Sequence, residues 1–241
     1  MLEARRAGWR ATLAHLARNE RGMLIALALT VGGLLAFVGL ADEVFEGETL
    51  AFDQRVMLAM RSSTDLGDPL GPLWFEEMMR DITALGSTVV LVSLTLIAVV
   101  MLVLSRRRLM AVAVSVSIVG GMLLSQALKW GFDRARPDLV PHGAAVYTQS
   151  FPSGHAMLSA VVFLTLAALV ARTQELRGVR IFLMATAIVL TLMVGTSRVY
   201  LGVHWPTDVL AGWALGAAWA IACQLMVVVL QGRGVLAPQH R

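Results

Sequence analysis

Three short stretches of this chain collect side chains suited to holding a phosphate group and attacking it. The first runs from Lys129 through Arg136 to Pro137, the second is Phe151-Pro152-Ser153-Gly154-His155, and the third runs from Ser197-Arg198 to His204 and Asp208. A transferring phosphoryl group carries negative charge on its non-bridging oxygens, and that charge must be stabilised. Lys129, Arg136 and Arg198 supply fixed positive charge, and each arginine adds a planar fork able to hold two oxygens. Ser153 can donate through its hydroxyl. Gly154 leaves backbone N–H groups open to a close phosphate, and these donors stand where a helix begins, at its partially positive end.

Two histidines can divide the remaining work. One attacks phosphorus and forms a phosphohistidine, and the other protonates the leaving oxygen. His204 has Asp208 four residues on. If Pro206 opens a helix, that spacing brings the carboxylate within reach of the imidazole, where it can fix the tautomer and support developing positive charge. His155 has no such local partner and suits the general acid. The set calls for no metal or other cofactor, since the cations are built in. Asp133, Arg134 and Asp138 read as loop charges, and His142, Tyr147 and Gln149 as possible headgroup contacts.

The elements that must position these groups are apolar. The chain has 241 residues, of which 57% are hydrophobic and only 15% charged. Six stretches are long enough for a bilayer core, which takes about 20 residues of helix: 23–41, 84–104, 109–128, 156–171, 181–197 and 209–230. This predicts an all-α polytopic membrane bundle of six transmembrane helices, a single domain over 1–241. The single cysteine, Cys223, excludes an intrachain disulfide. A net charge of +4 could suggest nucleic acid. Here, however, the basic residues sit in short loops between spans and read as topology signals, so nucleic acid is not expected as a partner.

Those loops set the orientation. Arginines crowd the N-terminus, 106–108, 172–180 and the C-terminal tail, while the segment 42–83 is acidic. The positive-inside rule then puts both termini in the cytoplasm and 42–83 outside. The first apolar run exceeds the length of a signal-peptide core, so it reads as an uncleaved anchor. Two stretches of 42–83 look amphipathic: Phe52, Val56 and Met60 share one face, and Phe75, Met78, Met79 and Ile82 another. They predict short helices lying at the membrane surface or packed on the outer span ends. Residues 5–21, with Trp9, Leu13 and Leu16, suggest a similar cytoplasmic helix. Gly212 and Gly216 offer a small-residue face for close helix packing. In the six-span arrangement all three phosphate-suited stretches fall on one membrane face.

The motifs Lys-x6-Arg-Pro, Pro-Ser-Gly-His and Ser-Arg-x5-His-x3-Asp, read at Lys129–Pro137, Pro152–His155 and Ser197–Asp208, closely resemble those of the type 2 phosphatidic acid phosphatase (lipid phosphate phosphatase) superfamily. The resemblance covers roughly 84–230, with no departure at a motif position. It implies a metal-independent phosphatase with His204 as nucleophile, Asp208 as its partner and His155 as general acid. Lys129, Arg136, Ser153, Gly154 and Arg198 would hold the phosphate. It further implies a membrane lipid as substrate: undecaprenyl diphosphate, phosphatidylglycerol phosphate, phosphatidic acid or the 1-phosphate of lipid A. The short loops and compact size look bacterial, and the arginine pattern then puts the site at the outer face of the inner membrane. No obligate protein partner is expected. A non-catalytic transporter with the same basic pocket is the competing reading. Against it, the charges gather at one face instead of crossing the bilayer.

Overall fold

The computed structural model describes residues 2–144 and 148–232, with side chains from residue 20 onward. Tyr147, the tail arginines and the side chains of the expected helix over 5–21 lie outside what is described. The architecture is all-helical: α1 (Leu2–Glu46), α2 (Leu50–Leu58), α3 (Leu73–Leu85), α4 (Thr88–Leu104), α5 (Arg108–Phe132), α6 (Gly154–Ala171), α7 (Arg177–Tyr200) and α8 (Pro206–Gly232). The described residues form no strand, only an isolated bridge between Arg61 and Pro69. Five helices are long and apolar enough to cross a membrane, and the bent pair α3–α4 makes a sixth. Large side chains such as Leu24, Leu35, Val112, Leu123 and Phe182 face outward and are exposed. That is the surface of a helix bundle whose solvent is hydrocarbon, as in a multi-pass membrane protein.

The core sits between α4, α5, α6, α7 and α8, around Leu91, Ile118, Val161, Val162 and Val194. The helices α6 and α8 approach backbone to backbone, and this follows directly from Gly212 and Gly216. A Cβ at Gly216 would lie 2.4 Å from the carbonyl oxygen of Met157, and one at Gly212 would lie 2.8 Å from that of Ser153. Only glycine permits this contact. It presses the start of α6 against the start of α8, where Ser153 N–H donates to the Asp208 carbonyl at 3.0 Å.

Two details differ from the sequence reading. The apolar run expected as one span over 84–104 is broken at Gly86 and Ser87, with a bend of 45°. Ser87 ends the break by accepting from Val90 N–H at 3.4 Å, as an N-cap does. The expected face of Phe52, Val56 and Met60 is split: α2 ends at Leu58, Met60 packs beyond it on the clusters of Val199 and Tyr200, and Phe52 turns outward as a surface-lying helix would have it. The buried positions of α2 are Asp53 and Met57, while Phe52 is 49% exposed. The carboxylate of Asp53 can go inward because it finds donors there, as described below. The α3 face behaves as its pattern indicates: Ile82 is buried, Met78 and Met79 pack on the core, and Phe75 meets Tyr200 edge-on at 5.3 Å.

Candidate active site

Where α5 and α7 finish and α6 and α8 begin, the bundle encloses a cavity of about 400 Å³. Lys129, Arg136, Gly154, His155, Arg198 and His204 all line it. Ser153 and Asp208 are fully buried just behind its wall. Residues from the three sequence stretches therefore converge, as a shared membrane face would require.

Each cation is fixed by neutral oxygens. Lys129, in the last turn of α5, donates to the Gln149 carbonyl at 2.7 Å. Arg136 donates from Nε to the Thr148 carbonyl at 2.7 Å and from Nη1 to the Val203 carbonyl at 2.6 Å. Arg198 donates from Nη1 to Thr83 Oγ1 at 2.9 Å, a contact supplied by α3. None of the three forms a salt bridge with a carboxylate among the described residues, so their charge is available to an anion. Three donors are buried with no hydrogen-bond partner among the described residues, and two of them, Ser153 Oγ and Arg198 Nε, belong to the motif residues around this cavity; the third is Arg61 Nε. An unpaired buried polar group costs about 1–3 kcal/mol. A ligand oxygen in the cavity would remove that cost.

His204 sits in the turn between α7 and α8, just 2% exposed. Its Nδ1 lies 3.3 Å from Oδ2 of Asp208, and its Nε2 lies 3.2 Å from Nη1 of Arg136. A guanidinium can only donate, so Nε2 accepts and the ring proton sits on Nδ1, facing the carboxylate. Burial pushes the His204 pKa down to about 3; Asp208 opposes this, and Arg136 and Arg198 add to it. The imidazole is therefore neutral at ordinary pH, with a lone pair turned to the cavity. Burial also lowers the Arg136 pKa, partly offset by Asp208.

The helix α8 does begin at Pro206, which sets the His204–Asp208 spacing. Asp208 is held on both oxygens. Oδ2 accepts from Trp205 N–H at 3.0 Å and from the Ser150 hydroxyl, in addition to facing His204. Oδ1 accepts from Arg134 Nη1 at 2.6 Å.

That last bond corrects the sequence reading of Arg134 as a loop charge. Its other nitrogen, Nη2, donates to Oδ2 of Asp53 in α2 at 2.8 Å. The sequence reading missed Arg134, Asp53, Ser150 and Thr83. One signal was present: Arg134 and Arg136 are two apart in a non-helical stretch ending at Pro137. An extended backbone puts such a pair on one face, about 6.6 Å apart. Here the two guanidiniums flank opposite ends of the His204–Asp208 pair. Of the headgroup candidates, Gln149 donates its side-chain amide to Asp133 at 3.3 Å and His142 pairs with the Pro137 carbonyl at 2.7 Å. Neither lines the cavity, whereas Thr148 does.

Comparison with known proteins places the chain in a family. Residues 110–231 match the family model described as the PAP2 superfamily. The chain is 36% identical over 146 residues to phosphatidylglycerophosphatase B of Bacillus subtilis, covering 59% of this chain and 70% of that one. It is 29% identical over 126 residues to an undecaprenyl-diphosphatase of Sulfolobus acidocaldarius, covering 50% of this chain and 57% of that one. The crystal structure of the transmembrane PAP2-type phosphatidylglycerolphosphate phosphatase from Bacillus subtilis superposes with a TM-score of 0.75 at 28% identity. It covers 83% of this chain and 96% of that one. With the three motifs lining one cavity and more than half its length matched, the chain belongs to the PAP2 superfamily.

Proposed function

We propose that the protein is a membrane lipid phosphatase that works through a phosphohistidine on His204. The observation that carries this reading is the orientation of His204 Nε2, a neutral lone pair facing a cavity lined by three cations. A substrate phosphate would occupy the space between Lys129, Arg136 and Arg198. The unpartnered Ser153 Oγ and Arg198 Nε, with the N–H groups opening α6, would complete its coordination. Displacing Arg136 Nη1 from His204 would free the nitrogen for attack.

The steps balance simply. Nε2 of His204 bonds to phosphorus as the bond to the leaving oxygen breaks, and His155 gives that oxygen its proton. The imidazolium so formed is held through Nδ1–H by Asp208, which needs no proton of its own. His155, now neutral, takes a proton from water, whose oxygen bonds to phosphorus as the phosphorus–Nε2 bond breaks, returning His204 to its neutral form and releasing inorganic phosphate. The bound phosphate's charge favours the protonated His155 in the first step.

The substrate is proposed to be a lipid phosphate or diphosphate. Below the cations the cavity is lined by Met122, Leu158 and Thr88 of α5, α6 and α4. An opening there would admit a tail sideways from the bilayer while the headgroup reaches Arg136. Phosphatidylglycerol phosphate heads the candidates, because the phosphatase from Bacillus subtilis matches in both sequence and overall fold. Undecaprenyl diphosphate, phosphatidic acid and lipid A 1-phosphate follow. The arginine-rich loops support both termini in the cytoplasm and a reaction at the outer face of the inner membrane.

The deciding experiment is a panel assay of phosphate release by the purified protein in mixed micelles, using these four lipids and a water-soluble phosphate ester. Transfer of tails from water is worth about 0.8 kcal/mol per CH₂ but nearly nothing for a lipid already in the micelle. Rates are therefore compared after correcting for partitioning. Strong preference for one lipid names the substrate class. Equal kcat/KM for lipid and soluble ester would refute lipid selectivity.

A further inference from the structure

Beside the phosphate cavity lies a set of charges, Asp53, Arg134 and Asp208, none of which lines it. Asp53 and Asp208 are both fully buried, and the fork of Arg134 bridges them, one nitrogen to each. Asp53 belongs to α2, in the outer segment and outside the family-matched stretch 110–231. Its Oδ1 accepts from Thr207 N–H at 2.9 Å, and its Oδ2 accepts from the Thr207 hydroxyl at 2.7 Å. The Thr207 hydroxyl in turn accepts from Arg134 Nη1 at 2.9 Å. Thr49 Oγ1 adds a contact to Arg134 Nη2 at 3.3 Å. Thus α2 grips both Arg134 and the first turn of α8, one residue from Asp208.

We propose that Asp53 and Arg134 are positioning residues for the nucleophile, setting the rotation of the Asp208 carboxylate so that Oδ2 faces His204. The proposal rests on the reading of His204 as nucleophile.

The terminal torsion of an aspartate is soft, so covalent geometry does not fix which oxygen meets the imidazole. Among the described residues, Arg134 is the one side chain bonded to Oδ1. That bond holds Oδ1 away from His204 and leaves Oδ2 to face it. The guanidinium could not do this alone. A free cation beside Asp208 would draw the carboxylate toward itself and weaken its support of the imidazolium. Asp53 takes up the second half of the fork and supplies the compensating charge. A lysine would carry the same charge but cannot direct two donors to two carboxylates in a plane. The ion pair is buried, where breaking one partner is far more disruptive than at a surface.

The test separates positioning from mere packing. Asp53→Asn, Arg134→Lys and the milder Thr207→Val are purified in detergent beside His204→Ala. For each, kcat, KM for the best lipid substrate, the rate of phosphoenzyme formation and the melting temperature are measured. Positioning predicts that kcat and phosphoenzyme formation fall together, by about 10- to 100-fold in Asp53→Asn and Arg134→Lys, the range seen when groups that orient a reactive side chain are removed. KM should stay within about twofold, since no substrate contact is lost. The double variant should be no worse than the worse single one, because both act on one chain of bonds. Thr207→Val should show the same pattern more weakly, and it decides the matter if either charge variant fails to fold. Wild-type kcat in Asp53→Asn or Thr207→Val, or a change confined to KM, overturns the proposal while His204→Ala still lacks phosphoprotein. Phosphoprotein in His204→Ala would instead overturn the underlying reading.

Discussion

Arg136 Nη1 stands 3.2 Å from Nε2 of His204, so the nitrogen proposed to attack is engaged by a cation. In the proposed reaction a substrate phosphate would draw that guanidinium away, so the same group would both cap the imidazole nitrogen and neutralise the phosphate. The proposed division of labour between the two histidines leads to separable outcomes.

Replacing His204 by alanine should abolish turnover, by about 10⁴-fold or more, and remove the acid-labile phosphoprotein. His155→Ala should lose about 10²- to 10⁴-fold, most severely for poor leaving groups, because general acid catalysis matters most there. Rapid-quench trapping of labelled protein distinguishes them. His155→Ala should still form some phosphoenzyme from a substrate with a good leaving group, and His204→Ala none.

With Lys129, Arg136 and Arg198 supplying the positive charge, activity should persist in EDTA. Vanadate should inhibit, since it adopts the five-coordinate geometry of phosphorus in transit. Phosphate release measured with excess chelator checks the first, and a vanadate titration the second. Strict dependence on Mg²⁺ would contradict the proposed mechanism.

The lowered His204 pKa has a pH signature in stability. Unfolded, the imidazole takes up a proton near pH 6.5; folded, it stays neutral down to about 3. The unfolded chain therefore binds more protons between those values. The contribution of His204 to stability is complete above pH 6.5 and is lost as pH falls toward 3. Thermal melts of the wild type from pH 7 to pH 4 should show this decline. His204→Gln should flatten it, and an unchanged slope in that variant would show that the decline comes from other groups.

Orientation can be tested by labelling. In a Cys223→Ser background, Ala144→Cys should react with an impermeant thiol reagent in cells with a permeabilised outer membrane. Glu175→Cys should react only after lysis. The reverse pattern would move the reaction to the cytoplasmic side.

The motif residues could be read from sequence because their chemistry is explicit: cations, histidines and a carboxylate at the ends of apolar runs. Their convergence followed from counting spans. The supporting shell was hidden for a different reason. Arg134 meets Asp208 across 74 residues and Asp53 across 81. No local pattern links charges that far apart, and each alone looks like an ordinary loop charge. Hydrophobic patterning also left the inward face of α2 unread, because one of its two buried positions, Asp53, is a carboxylate satisfied by distant donors while Phe52 faces outward. The break at Gly86 and Ser87 escaped notice for the opposite reason: two small residues barely interrupt an apolar run, yet they divide the helix.

The glycine contact between α6 and α8 has a consequence for how this kind of enzyme can diversify. Met157 and Gly216 meet backbone to backbone, so the helices carrying His155 and Asp208 form a frame with almost no slack. Sequence drift along that seam would shift the reacting groups relative to each other. The wall from α4 and α5 is tied to this frame as well: a Cβ at Gly86 would lie 2.4 Å from Val194 and 3.2 Å from His155, and one at Gly120 would lie 2.6 Å from Trp219. The site is thus braced by small residues on both sides, and a single added methyl at any of them would be felt by the reacting groups. A change in what the cavity admits has to leave these glycines in place.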